Sequence, residues 1–505
     1  MKKIILTFLV FFGFIALTFA QVKHDYNWIV GYDSTPATPE GEGTIFDFND
    51  SPILIDFLPI DINMEQTNIT CSDKEGNLIF YSNGCSIYNA DHELMENGDG
   101  INPGQVHDIQ CDDAYTIIQG MIALPIFGND SLYYLFHQHI VYETNPFEVK
   151  IDQLLYSIVD MSTNNGLGEV TLKNEAAIPD TIWPGELTAV KHINGEDWWI
   201  ISPGFQNKYY TMLLTPDSLT NPTEQFIGPE VTRNSGEGSG QACFSPNGTK
   251  YARYNNTDQV FLFDFDRSSG QLSNFQQLIV ADTANSGGAV FSPNSRFLYI
   301  SAADYVYQFD LWATNIQDSK KVIATWDGFL ESDFFPTRFA LMQMGPDCRI
   351  YINTTAGTSF FHVIQFPDLE GEACQLEQRA VKLSSFNSRA MPHFPNYRLG
   401  TTPTYPCDPS IEFPDFPTAV SEVEAAGVEF SLYPNPTSGM LRLELPEEVQ
   451  SITITNALGV VMRRWSAGGF LREWVVEDLD LVEGIYYCTV KTEEGDLTRA
   501  FVVIR

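Results

Sequence analysis

The chain is predicted to be an all-β protein: a β-propeller of about seven blades, then a linker and a small C-terminal β-sandwich. Three observations predict this. A turn followed by an aromatic, alternating strand recurs along the chain. Its spacing is that of a propeller blade, and the C-terminal stretch breaks into short strands of its own.

The fullest copy of the repeat is 244–266, FSPNGTKYARYNNTDQVFLFDFD. Pro246 fixes φ, and Asn247-Gly248 suits the positive φ of a tight hairpin. Lys250 to Tyr254 and Val260 to Phe265 then alternate as strands. The unit returns at 291–311 (FSPNSRFLYISAADYVYQFDL), at 345–354, and as turn plus aromatic strand at 73–84, 127–138 and 193–204. From Gly76 through Gly128, Gly195, Gly248, Ser295 and Cys348 the steps are 52, 67, 53, 47 and 53 residues. Blades of about 40–50 residues, four strands each, give such a period, and one blade cannot bury both faces alone. Six units and one blade closed by both termini make seven. The strand within Tyr26 to Tyr32 is expected to complete the last blade beside Ala380-Val381-Lys382-Leu383, with Pro392 to Leu399 as an extended exit.

The first twenty residues stand apart from the fold. Met1-Lys2-Lys3 is a basic start, Ile4 to Phe19 is apolar, and Thr18-Phe19-Ala20 offers small residues for cleavage between Ala20 and Gln21. No later stretch reaches the ~20 apolar residues of a membrane span. No transmembrane anchor is therefore expected in the mature chain. The domains expected are a signal peptide at 1–20, the propeller at 21–400, a Pro/Thr/Glu-rich linker at 401–427 and the sandwich at 428–505.

Export permits disulfides, and the eight cysteines lack zinc-ligand spacing. Cys348–Cys374 is the bridge expected, while Cys71, Cys85 and Cys111 compete for partners. A net charge of −37, from 28 basic and 65 acidic residues, repels phosphate backbones and excludes nucleic acid as a partner. Most of the carboxylates read as solvated surface.

Long connections are expected at 85–115, 144–186 and 217–240, and a local function would lie there. The chemistry they carry is sparse. No Gly-x-Ser-x-Gly, His-Glu-x-x-His or phosphate-binding loop occurs. No catalytic or cofactor-binding residue is assigned. His137 and His139, at i and i+2 on a strand, are the one pair with metal-ligand geometry. Tyr133, Tyr134 and Phe136 beside them favour a packed strand. His107-Asp108 with Cys111-Asp112-Asp113 could hold Ca2+, but lacks the spacing of a calcium loop. His192, at the turn before Trp198-Trp199, is expected in blade packing.

FSLYPNPTSGMLRLEL (430–445), ITITNALGVVMRRW (452–465), LDLVEGIYYCTV (479–490) and AFVVIR (500–505) resemble the type A sorting domain of the type IX secretion system. Tyr433, Pro434, Asn435, Pro436, Thr437 and Gly439 carry the most specific part of that resemblance. It implies transfer to the cell surface or medium through the secretion machinery, and removal of the tail by a sortase-like peptidase. EGNLIFYSNGCSIYNADHELMENGDGI (75–101) and FLFDFDRSSGQLS (261–273) are similar to secreted, WD-repeat-like propeller cargo, from which no activity transfers.

Two functions stay open at this point. One is a secreted or surface binding and adhesion module for a glycan or a surface protein. The other is an extracellular hydrolase or lyase acting on a polymer, which would need two uncompensated carboxylates about 5–9.5 Å apart in a central pocket. A purely structural surface role is a third.

Overall fold

The computed structural model describes residues 22–31, 42–111, 114–144, 147–231, 240–280, 287–414 and, within 431–503, all but 435–436, 446–448, 457–460, 470–472, 477–478, 480, 482–483 and 493–495. Ala20 and Gln21 lie outside the described residues, as does the linker from 415 on. The chain divides into two units, Met1–Phe416 and Pro417–Arg505.

Among the described residues, the larger unit holds seven antiparallel sheets of three or four strands, met in chain order. Sheet one is Asn27–Val30, Glu42–Asp47 and Leu54–Pro59; sheet two is Ile69–Ser72, Leu78–Ser82 and Ile87–Asn89. Sheet three runs Met121–Ile126, Asn129–Thr144, Phe147–Asp160 and Glu169–Ile178. Sheet four is Thr188–Lys191, Trp198–Pro203, Gln206–Leu214 and Thr223–Val231. Sheet five is Gln241–Phe244, Lys250–Asn255, Gln259–Asp266 and Gln271–Leu278. Sheet six is Gly287–Phe291, Phe297–Ala302, Tyr305–Asp310 and Lys321–Thr325. Sheet seven is Phe339–Met344, Ile350–Thr354, Thr358–Ile364 and Leu376–Asn387. A small hairpin, Leu330–Glu331 with Phe335–Pro336, comes between the last two.

The repeat measured in the sequence is the turn between the first two strands of sheets two to seven. Gly76, Gly128, Gly195, Gly248, Ser295 and Cys348 all have positive φ, at 98°, 78°, 76°, 73°, 62° and 69°. Two of the six manage this without glycine, because the residue before supplies a side-chain acceptor that closes the turn. Asn294 Oδ1 takes the Arg296 N–H at 2.9 Å, as Asn247 Oδ1 takes the Thr249 N–H at 3.0 Å. Ser245 and Ser292 likewise accept the N–H groups of Lys250 and Phe297, both at 2.9 Å. The Phe-Ser-Pro-Asn motif is thus a prebuilt hydrogen-bond pattern.

First strands of neighbouring sheets pack together in the pairs one–two, two–three, four–five, five–six and six–seven. The spacing is tight. A Cβ on Gly288 would lie 2.4 Å from Gln241 Oε1 and 2.7 Å from the Met342 nitrogen. Its absence lets Gln241 of sheet five reach sheet seven, donating to Met342 O at 3.1 Å and accepting its N–H at 2.7 Å.

Sheet one meets sheet seven through aromatic rings: Trp28 lies 5.2 Å from Tyr351, and Phe46 lies 5.6 Å from Phe361. Thr44 Oγ1 and Ser385 Oγ join the same contact at 2.9 Å. The N-terminal strand does not complete the last sheet, as the sequence led us to expect. Asn27–Val30 pairs with Glu42–Asp47, while Leu376–Asn387 is itself the fourth strand of sheet seven. Residues 42–59 supply two partner strands, so the N-terminal strand has its own sheet to enter.

Three further expectations change. The bridge is Cys348–Cys407, not Cys348–Cys374, and a second joins Cys85 to Cys111. Cys71 and Cys374 are buried free thiols. The linker accordingly begins later than 401. Asp408 N–H bonds Pro346 O at 2.7 Å, the Ile53 N–H bonds Glu412 O at 3.0 Å, and Ile411 is buried, so residues to 414 belong to the larger unit. The expected loops also hold structure: 144–186 contains two strands of sheet three, 217–240 contains the outer strand of sheet four, and 85–115 contains the helix Gln105–Gln110.

In the smaller unit, Ser431–Tyr433, Leu441–Glu444 and Glu473–Val476 form one sheet. Val449–Asn456, Val461–Gly469, Gly484–Lys491 and Asp496–Val503 form the other. Leu441 and Leu443 from the first share one core with Ile452, Ile454, Tyr486, Cys488 and Phe501 from the second.

Replacing both Cys348 and Cys407 by Ser should cost about 2–4 kcal/mol, the usual worth of such a cross-link. Urea unfolding of the oxidised protein and the variant measures it; equal midpoints would remove the bridge from the stability of this unit.

Candidate functional site

The first strands of sheets four to seven converge on a cavity of about 60 Å³, lined by Thr188, Ala242, Ala289, Met342, Gln119 and His393 among others. Ligand pockets begin at ~300 Å³, so this space suits a few water molecules. The reason is the chain itself. Beyond sheet seven, Ala390, Met391, Phe394 and Tyr397 are buried in the core where an open pocket would lie. Asn353 Nδ2 holds Ala390 O at 3.1 Å, Tyr397 Oη donates to Ala123 O at 2.9 Å, and Asn396 Nδ2 donates to Pro246 O at 2.9 Å.

His393 sits at the centre of this packing, and its hydrogen bonds fix its protonation. Gln119 Oε1 accepts the Ala242 N–H at 2.8 Å, which orients the amide. Gln119 Nε2 then donates to Ala242 O and to His393 Nδ1, both at 2.9 Å. His393 Nδ1 is therefore an acceptor and the ring is neutral. Burial agrees, pushing its pKa down to about 4.

The cavity has one lining carboxylate among the described residues, Asp25. Arg398 caps it from both oxygens at 2.8 and 2.5 Å. Two uncompensated carboxylates do not meet here. A second buried charge lies nearby in sequence to the lining: Glu186, fully buried at φ 54°, with Arg253 Nε 2.6 Å from its Oε2. The guanidinium stands 5.5 Å from the rings of both Trp183 and Phe261. Burial raises the Glu186 carboxyl to about 7 against the pull of Arg253. The pair fastens sheet five to the segment entering sheet four. Sequence reading missed it, since Glu186 belongs to no motif and Arg253 reads as an ordinary residue of the repeat's alternating strand.

The sequence-derived candidates are placed as follows. His137 is buried between Asn102 Oδ1 at 2.6 Å and Ser157 Oγ at 2.9 Å, and burial lowers its pKa to about 3. His139 is held by Asp152 Oδ1 at 2.7 Å and Pro103 O at 2.8 Å. Both rings have both nitrogens engaged by different partners, so they do not converge on a common point. His107 and Asp108 lie on the short helix, Cys111 is in its disulfide, and Asp112 and Asp113 lie outside the described residues. Among the described residues, no three His, Cys, Asp or Glu side chains gather as a metal site. His192 Nδ1 accepts the Asn194 N–H at 3.2 Å, with the ring 5.9 Å from Trp199.

In the smaller unit, Tyr433 ends its first strand with its hydroxyl 3.0 Å from Glu444 Oε1. Thr437 is buried and donates its N–H to Val502 O at 2.8 Å; Gly439, at φ 132°, presents its carbonyl to the Leu479 N–H at 2.9 Å. Pro434 follows the strand, and Asn435 and Pro436 lie outside the described residues. Residues 431–504 match the family model of the secretion system C-terminal sorting domain. The tail is a type IX sorting domain. It directs the chain to the cell surface or the medium through the Por secretion pathway.

Beyond the sorting domain the comparisons are thin. No curated protein matches the chain. Among solved structures, PorZ of Porphyromonas gingivalis, a surface component of the type IX secretion system, is 12% identical with a TM-score of 0.35. That match covers 94% of this chain but 57% of PorZ, so the chain spans little more than half of that protein. The periplasmic gluconolactonase PpgL of Pseudomonas aeruginosa is 11% identical (TM-score 0.36), over 89% of this chain and 99% of that one. The gluconolactonase XC5397 of Xanthomonas campestris is 10% identical (TM-score 0.31), over 66% of this chain and 94% of that one. These scores carry no inference about activity. Among the described residues, no helix is long and apolar enough to cross a membrane.

Two measurements test the interior chemistry. Glu186→Ala should destabilise the protein by up to about 3–5 kcal/mol, since it leaves the buried Arg253 with only Asp258, 3.7 Å away, as a counter-charge; a loss under 1 kcal/mol in urea unfolding would contradict the pairing. His393 has its pKa lowered, so below pH 6.5 the unfolded chain binds a proton that the fold refuses. Stability is therefore lost as pH falls from 6.5 towards 4. Relative to wild type, His393→Gln should flatten the pH 4–6 slope by about 1.4 kcal/mol per pH unit. The difference between the two proteins isolates this group from Glu186, which acts in the opposite sense between pH 4.5 and 7.

Proposed function

We propose that the larger unit is a seven-bladed, WD-repeat-like β-propeller that works outside the cell as a non-catalytic binding module for a glycan or a surface protein. The smaller unit is then a two-sheet sandwich that engages the type IX secretion machinery and is removed by a sortase-like peptidase in the linker. Sheets one to seven are the blades, and the contact of Trp28 and Phe46 with Tyr351 and Phe361 closes their ring.

One observation carries the choice of binding over catalysis. The chain's own segment, from Ala390 to Tyr397, packs into the core beside the cavity that a propeller enzyme would need open, and among the described residues the cavity's one lining carboxylate, Asp25, is neutralised by Arg398. A propeller of this kind has its outer loops and surface left to work with, which suits adhesion.

Two outcomes are expected. Incubated with a panel of neutral and acidic polysaccharides, the purified secreted protein should release no reducing ends; sustained release would make it a hydrolase or lyase. Deleting 428–505 should leave the protein in the periplasm, read by fractionation and immunoblot, whereas its appearance in the medium would take the export role from the tail.

A further inference from the structure

Among the described residues, the hairpin between sheets six and seven has no counterpart between the other sheets. Leu330–Glu331 pairs with Phe335–Pro336, and Ser332 and Asp333 turn the chain at φ 53° and 61°. It holds a row of apolar side chains in water: Phe329 is 41% exposed, Leu330 41%, Phe335 44% and Phe334 82%. Rings exposed elsewhere, such as Trp312 and Phe226, are scattered along the chain, whereas here four apolar side chains fall within seven residues, and contiguous exposed apolar surface marks an interaction site.

The row is held stiffly. Trp326 Nε1 reaches Thr337 Oγ1 at 3.3 Å, the Thr337 N–H bonds Phe329 O at 3.3 Å, and Phe329 stands edge-on to Phe360 at 6.0 Å. Around its base the charges cancel in pairs. Arg379 binds both oxygens of Asp327 at 2.9 and 2.6 Å while lying 4.5 Å over Phe329. Lys382 pairs with Glu331 at 3.0 Å while lying 4.2 Å over Phe360, and Arg338 pairs with Asp304 at 3.2 Å.

Resting on the binding-module reading above, we infer that this hairpin is a carbohydrate platform and that its ligand is a neutral polysaccharide. Three features select that chemistry. The cations nearby are already matched, and the chain as a whole is at −37, so an anionic polymer finds no attraction. At ~200 Å² per aromatic side chain, the four apolar residues expose roughly 400 Å². A stable protein partner needs about 800 Å² from each side. A pyranose ring instead offers a C–H face that fits one aromatic ring at a time, with hydroxyl groups at its rim. The exposed carboxylate of Asp333, beside Phe334 at the tip, is an acceptor for such hydroxyls.

The test is affinity gel electrophoresis of the full secreted chain through laminarin, galactomannan, xyloglucan and arabinoxylan, with alginate as the anionic control. Retardation by at least one neutral polymer, and none by alginate, is expected. Phe334→Ala and Phe329→Ala should each weaken it by about tenfold or more. Trp312→Ala, which removes a ring 70% exposed elsewhere on the unit, should leave it unchanged. Phe334 is so exposed that its loss spares the fold, and an unchanged circular dichroism melt verifies this. Retardation that survives both Phe variants overturns the platform while leaving the binding module standing. Absence of retardation by every neutral polymer overturns the ligand class. If Phe334→Ala instead abolishes self-association in sedimentation, or binding to phosphatidylethanolamine vesicles, with no polysaccharide retained, the hairpin is a protein or lipid contact and the inference is wrong. Release of reducing ends from the polymer in the same gel lanes would count against the binding-module reading itself.

Discussion

Everything in the larger unit depends on the seventh sheet finding the first. A row of packed sheets leaves one face uncovered at either end unless the ends meet. Here they meet through rings. Trp28 and Phe46 on sheet one stand against Tyr351 and Phe361 on sheet seven, and Phe394 lies 5.9 Å from Trp28, nearly parallel to it. Aromatic side chains suit this duty because each covers a large area with few rotatable bonds. The residues involved lie more than three hundred positions apart in sequence, which makes this the kind of non-local contact that slows folding.

Much of this was legible in the sequence, and the reason is local chemistry. The turn between the first two strands of sheets two to seven needs positive φ, and four of the six announce it with a side-chain acceptor in front, as Asn-Gly, Asn-Ser or Asp-Cys, while Gly76 and Gly128 supply it as glycine alone. The sorting domain was legible for the same reason: its seven strands are short, alternating and separated by turn residues. The outer strands were not. Glu169–Ile178 reads EVTLKNEAAI and Thr223–Val231 reads TEQFIGPEV, and each has one solvated face and broken alternation. Their pairing is imposed by the neighbour strand, not by their own pattern.

The centre was illegible for a different reason. Nothing in MPHFPNY declares that 391–397 will pack into the core, since the two prolines and the aromatics equally suit an exposed extended exit. Only the tertiary partners decide: Gln119 just before sheet three, Ala123 on that sheet and Asn353 on sheet seven satisfy polar groups that a buried loop would otherwise strand. The histidines followed the same logic. His137, His362 and His393 are all buried and driven towards neutrality by that burial, so these rings belong to the packing.

The covalent link from Cys348 to Cys407 has a mechanical meaning. A chain hauled by its C-terminal end would ordinarily peel from that end, one hydrogen bond at a time, beginning with the outermost strand of sheet seven. With Cys407 tied to the first turn of that sheet, tension arriving from the tail bypasses Leu376–Asn387 and is delivered to an inner hairpin, where many bonds must shear together. The handle by which the cell exports this molecule is thus tethered covalently to an inner turn of sheet seven and not to its outer strand alone.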